Sequence, residues 1–236
     1  MIGNGYFEKI NSTPVYNMYK SILYTIAGLL PTVVSLTPTI YVYAYSWTPG
    51  FCAGQTYPGC ANPLPYWGTH FTIHGLWPQY ATTGYPASCD SEPFDETIPL
   101  QIGESTMIQY WPNVQAEPGS SSYTSFWAHE WTKHGTCTNL TQLQYFETAI
   151  QWTQEIPTPE LLIESVGKNM SATILRESLG GLDYVALQCD HQSLTGVYTC
   201  WNQTDNLPTL QIPCPPSVVK EDTCMESDDI RILSIS

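Results

Sequence analysis

From Ile40 to Trp47 the chain alternates Tyr41, Tyr43 and Tyr45 with Val42 and Ala44, a period of two that predicts a β-strand. A Pro- and Gly-rich loop containing Cys52 and Cys60 follows, and Thr69 to Leu76 reads as a second strand. There His70, Thr72 and His74 would share one face and Phe71 and Ile73 the other, with His74 near the strand's end. A helix is predicted between Thr97 and Trp111, stopped by Pro112. Ser125 is the candidate N-cap of a helix beginning at Phe126, with Gly135 its terminator after His134. Two or three more helices are expected over roughly 141–154, 159–166 and 172–179; Thr158-Pro159 and Ser171 supply start signals and Gly180-Gly181 a stop. Strand patterns return at Asp183 to Cys189, Thr195 to Trp201 and Thr209 to Cys214. Strands, then helices, then strands predict an α+β domain rather than a βαβ repeat.

Length changes little in that picture: 236 residues suit one well-buried domain behind a leader. Residues Ser21 to Leu36 form a moderately apolar run after Lys20, interrupted by Pro31 and with small residues such as Ser35 near its end. We read residues 1–35 as an N-terminal leader, a signal peptide or signal anchor, and 36–236 as the mature domain. The run is too short and broken for a confident membrane span, and Met18 would be a tidier start for a signal peptide than Met1.

Charge narrows the function. Seven basic against 21 acidic residues give −14, which excludes binding of nucleic acid through a broad basic face. The leader holds Lys9, Lys20 and Glu8, so the acidity belongs to the mature domain and a polyanionic substrate must be met locally. Histidines gain charge, and an acidic surface loses it, as pH falls below about 7, so an acidic compartment suits both. Eight cysteines without any C-x-x-C pair point to an oxidised, disulfide-bonded chain. Sequons at Asn11, Asn139, Asn169 and Asn202 agree with a secretory route, the last three being candidate glycosylation sites of the mature domain.

Four of the five histidines lie in two segments, Thr69 to Gln79 and Phe126 to Cys137. At about 100° per residue on a helix, His129, Glu130, Lys133 and His134 fall within about 140° of one face. If the strand carrying His74 packs there, imidazoles from two elements flank one phosphate. Acid–base cleavage of RNA needs that arrangement: one group takes the 2′-hydroxyl proton and another protonates the departing 5′-oxygen. Glu130 and Lys133 would act on the phosphorane-like state, and Trp77 offers a flat surface for a base or ribose.

The two segments resemble the paired active-site motifs of the ribonuclease T2 family of secreted and vacuolar acid ribonucleases, and the resemblance extends over roughly 40–225, including Trp111-Pro112-Asn113. It implies an α+β fold with a central antiparallel β-sheet and packed helices in a single disulfide-bonded domain. It implies an endoribonuclease acting on single-stranded RNA through a 2′,3′-cyclic phosphate and then a 3′-phosphate, without metal or cofactor. Carried over by position, His134 is similar to the family's general base, His74 to its general acid and His129 to its phosphate-binding histidine, while Glu130 and Lys133 match its transition-state pair. Trp77, Gln79, Asn113 and Val114 stand at positions implied to bind substrate, and Ser46 where several relatives carry a base-contacting glutamine. The implied disulfides are Cys52–Cys60, Cys89–Cys137, Cys189–Cys224 and Cys200–Cys214. We expect low base specificity, an acidic optimum, a monomer without stable membrane association after leader removal, and a secreted, lysosomal or vacuolar destination.

Other readings of these residues are plainer. His70 and His191 read as an exposed and a loop histidine, Trp127 and Trp131 as core, and Asn113 could be a turn residue after Pro112. A zinc hydrolase is the first rival, but the H-E-x-x-H spacing separates its histidines by four positions, whereas His129 and His134 are five apart. A catalytically silent storage or recognition protein is the second, and retention of both His74 and His134 favours an enzyme.

Overall fold

The computed structural model describes residues 38–82, 84–224 and 229–235, so the expected leader and Asn11 lie outside the described residues. Among the described residues seven strands form one sheet: β1 (Ile40–Ser46), β2 (Thr72–Gln79), β3 (Lys168–Ser171), β4 (Val185–Asp190), β5 (Ser193–Thr204), β6 (Leu207–Gln211) and β7 (Asp229–Ile232). The order is β2-β1-β5-β7-β3, with β4 and β6 also pairing β5. All pairs are antiparallel except β5 with β7, which meet in parallel at Ser193 and Arg231. With the helices packed on this sheet, the architecture is α+β.

β1 is buried along nearly its whole length, because both sheet faces are covered. Tyr41, Tyr43 and Tyr45 face the main core, where the Tyr43 hydroxyl donates to the Ala149 carbonyl on helix Gln142–Glu155. That helix begins with a capping box, Thr141 and Gln144 bonding each other's backbone amides, and buries Tyr145, Phe146, Ala149, Ile150 and Thr153. On the other face Val42 joins a smaller cluster around Cys200 and Cys214, against which Trp77 and Tyr198 pack. The site lies on this second face.

The predicted strand over Thr69 to Leu76 is displaced to Thr72–Gln79, and His74 is not near its end. Tyr45 pairs with Ile73 and Ala44 with Gly75, so His74 is an extra residue, a β-bulge. Register on either side of the bulge keeps Ile73 and Leu76 in the core, while His74 lines the cleft of the second face. The indole Nε1 of Trp111 donates to the His74 carbonyl at 3.0 Å. A further 2.7 Å bond from Trp127 Nε1 to the Trp111 carbonyl ties this support to the helix Ser125–Lys133.

Other boundaries shift for local reasons. The helix expected between Thr97 and Trp111 is two helices, Ile98–Ile102 and Glu104–Tyr110, parted at Gly103 with φ +107°. Ser125 is the first helical residue, not the cap: its hydroxyl donates back to the Ser122 carbonyl at 2.6 Å. Gly135 opens a 3₁₀ turn; a Cβ there would stand 2.3 Å from the Trp131 ring, so close approach explains the glycine. The bridges are Cys52–Cys60, Cys89–Cys137, Cys189–Cys224 and Cys200–Cys214. Asn139, Asn169 and Asn202 are exposed, and no described helix is long and apolar enough to cross a membrane.

Trp111 is fully buried, so Trp111→Phe strands the His74 carbonyl without replacing its donor. The expected loss is about 1–3 kcal/mol in urea melts. An unchanged midpoint and slope would show that the bulge does not depend on this bond.

Candidate active site

The helix Ser125–Lys133 turns Trp127, Glu130 and Trp131 inward, the i, i+3, i+4 spacing of a buried stripe. It ends at Lys133, and His134 follows as its C-cap, beyond the regular helix. The single face predicted for four residues therefore divides: His129 is exposed and Lys133 half-buried, whereas Glu130 and His134 are buried. The loop before Cys89 closes over the helix end, with Ser88 N donating to the Lys133 carbonyl at 2.9 Å and the Cys89–Cys137 bridge beside it.

Glu130 forms the floor. Its Oε2 accepts from Trp77 Nε1 at 2.8 Å, and its Oε1 lies 3.9 Å from His74 Nε2. Trp77 stands between the two imidazoles, 5.1 Å from His74 edge to face and 5.1 Å from His134 nearly parallel. One indole thus spaces both histidines and binds the carboxylate. The approach requires Gly75, where a Cβ would fall 2.2 Å from both Glu130 Oε2 and Trp77 Nε1.

A cleft of about 430 Å³ opens beside His74, lined by Ser46, Asn113, Val114, Phe126 and Tyr198 among others. Asn113 reaches it as an already engaged amide: Nδ2 donates to the Ser122 and Tyr123 carbonyls, and Oδ1 accepts from Gln115 N. Gln79 does not line the cleft; it is buried at the far end of β2, paired with Ile40. The stacked face of Trp77 is occupied by His134, which corrects its reading as an open platform on that side. His70 stacks on Tyr66 at 4.4 Å, and His191 is exposed in the turn between β4 and β5.

Residues 38–211 match the model of the Ribonuclease T2 family. The chain belongs to that family. Ribonuclease 1 of Arabidopsis thaliana is 31% identical over 212 residues, covering 82% of this chain and 89% of the relative. From Solanum lycopersicum, intracellular ribonuclease LX is 27% identical over 74% of this chain and 76% of its own, and extracellular ribonuclease LE 28% over 74% and 80%. A solved structure of an RNase MC1 mutant in complex with 5′-GMP is 28% identical with a TM-score of 0.62, covering 82% of this chain and 98% of that one.

Several residues around this candidate site were not singled out by sequence. Tyr85 stands 5.9 Å from the His134 ring, and Tyr198 of β5 packs against Trp77 at 5.2 Å. Alternation in β5 was the available signal for Tyr198, but only the pairing of Ala44 with Tyr198 brings it to the site. Gly75 is visible as a motif glycine, yet its need arises from a side chain 55 positions away.

Burial governs the site's charges. It lowers His134 to about 3, with Lys133, His129 and His74 adding repulsion. It lowers His74 to about 4, aided by His129 and Lys133, although 41% of that side chain faces solvent. It raises Glu130 to about 8, against the opposing pull of the Trp77 hydrogen bond and Lys133. His134 Nδ1 is buried without a hydrogen-bond partner, so no neighbouring acceptor supports the imidazolium there.

Because Glu130 is raised, the folded chain keeps a proton that the unfolded chain releases between about pH 4.5 and 8. Its contribution to stability is whole below that window and falls as pH rises through it. Glu130→Gln, which never ionises, should gain in melting temperature relative to the parent between pH 5 and pH 8. A gap that does not change with pH would mean an ionised carboxylate.

Proposed function

We propose that this T2-type ribonuclease cleaves single-stranded RNA by acid–base transphosphorylation, giving a 2′,3′-cyclic phosphate that is then hydrolysed to a 3′-phosphate. The observation that carries the reading is the pair of imidazoles, from a strand bulge and a helix end, each 5.1 Å from the same indole above one buried carboxyl. His134 removes the 2′-hydroxyl proton as the 2′-oxygen attacks phosphorus; His74 delivers a proton to the departing 5′-oxygen. In the second step the roles reverse, with water as nucleophile. Lys133 and His129, on the accessible side of the helix, meet the phosphate's non-bridging oxygens.

The productive form has His134 neutral and His74 protonated. With His134 at about 3 and His74 at about 4, it predominates between those values, and both lie below the ordinary 6.5. A bound phosphate raises both, so turnover is favoured at mildly acidic pH. The net charge of −14 leaves substrate attraction to the site itself.

Base specificity is low on this reading: the Asn113 amide is engaged, Gln79 is remote, and Ser46 is short. The complex of the RNase MC1 mutant with 5′-GMP supports nucleotide binding by this chain. Metal independence is supported by geometry, since His129 is exposed on the helix while His134 is buried beyond its end. Family members include intracellular and extracellular ribonucleases. Four bridges and three exposed sequons favour a secretory route, to the outside or to a lysosome or vacuole, for a monomer.

The test compares a short RNA with its 2′-deoxy counterpart in EDTA at several pH values. Cyclic-phosphate ends from the RNA alone, formed faster at pH 5 than at pH 8, are expected. His74→Ala and His134→Ala should each lower the rate at least about 100-fold. Cleavage of the deoxy strand, activity that zinc restores after chelation, or losses below tenfold would reject the mechanism.

A further inference from the structure

The cleft beside His74 has a rim that the sheet does not supply. One part is Phe51, which ends the helical turn Thr48–Phe51; another is the segment Pro112 to Gln115, carrying Val114. A single disulfide loop touches both. Phe51 directly precedes Cys52 and stacks with Tyr57 of the loop at 6.1 Å and 22° between planes. At the loop's other end Gly59, next to Cys60, donates its backbone N–H to the Val114 carbonyl at 2.9 Å. Contact there is as close as a chain allows: a Cβ on Gly59 would lie 2.6 Å from Val114 Cα and 2.9 Å from its Cβ.

From its other side the Val114 segment is fastened by the Asn113 amide to the Ser122 and Tyr123 carbonyls. Val114 is therefore gripped between the approach to the catalytic helix and the disulfide loop. The Cys52–Cys60 bridge holds its two Cα atoms 5.3 Å apart, so Phe51 and Gly59 do not move independently. The reacting groups hang on other supports. His74 is fixed by Trp111, and His134 lies at a helix end braced by Cys89–Cys137.

We infer that the Cys52–Cys60 loop is a spacer for the nucleobase seat: Gly59 under Val114 and Phe51 at the rim set its width, and with it the relative affinity for purines and pyrimidines. The inference rests on the ribonuclease reading above. Gly59, Cys52 and Cys60 act through Val114 and Phe51 and are positioning residues. A base enters between an aromatic ring and an aliphatic side chain, where fit is decided by shape. Displacing Val114 changes that gap without changing which atoms donate or accept protons.

Two variants separate this role from general stability. Gly59→Ala pushes the Val114 segment; the Cys52→Ser/Cys60→Ser pair frees the loop without adding bulk in it. Folding is verified by thermal melts. Affinities for 5′-GMP, 5′-AMP, 5′-UMP and 5′-CMP are then measured by calorimetry, together with kcat and KM on dinucleoside phosphates. We expect the purine-to-pyrimidine affinity ratio to shift by at least about threefold in both variants. KM should move with it, while kcat on the best substrate stays within about twofold. Unchanged base ratios in folded variants, or a uniform fall in kcat for every substrate, would overturn the spacer role alone. A parent that binds none of the four nucleotides and leaves RNA intact would overturn the ribonuclease reading and the spacer with it.

Discussion

The site depends on the accommodation of one carboxyl group. Glu130 is 1% exposed, and burying a carboxylate without partners would cost several kcal/mol. Two features of β2 make its place tolerable: the indole of Trp77 donates to Oε2, and Gly75 leaves the space a side chain would fill. Burial also favours the protonated form, raising the Glu130 carboxyl to about 8. Once Glu130 and Trp77 are joined, Trp77 has one orientation, and the two histidines against it are positioned by aromatic contact rather than by carboxylate hydrogen bonds.

That choice carries an electrostatic consequence. A histidine oriented by a short bond to an ionised carboxylate gains basicity; one packed on an indole with an unpartnered nitrogen loses it. Both imidazoles here lose basicity, by burial first and then through the neighbouring charges of Lys133 and His129; for His134 the unpartnered Nδ1 acts in the same direction. On the proposed mechanism a ribonuclease of net charge −14 gains from this, because bound phosphate would create the cationic form that is not maintained without it. The rigid supports, Trp111 beneath the bulge and Cys89–Cys137 at the helix end, keep both rings in place through that change.

Local patterns in the sequence were sufficient for much of this architecture. The alternation in β1, the Ser171 start signal of helix Ala172–Ser178 and the paired motifs each carry their meaning within a dozen residues. What was illegible depends on distant partners. The His74 bulge is defined by register against Ala44 and Tyr45, so the strand pattern alone placed His74 at an end. β3 and β7, four residues each, have no period long enough to read and exist through mutual pairing. Asn113 sits where the motif suggests base contact, but the carbonyls of Ser122 and Tyr123 occupy its amide. Gln79 follows the motif in sequence and departs from it in space, because an extended strand moves about 3.3 Å per residue away from His74.

On the mechanism proposed above, burial around Glu130 and Trp77 holds the imidazoles of His74 and His134 neutral until phosphate arrives. Titration of the histidine ring resonances by NMR in the free protein tests it most directly, with His74→Ala and His134→Ala used only to assign signals. Two histidines are expected to titrate well below 6.5, His134 at about 3 and His74 at about 4, and both to move upward when inorganic phosphate is added. Values at or above 6.5 for either ring in the phosphate-free protein would contradict it.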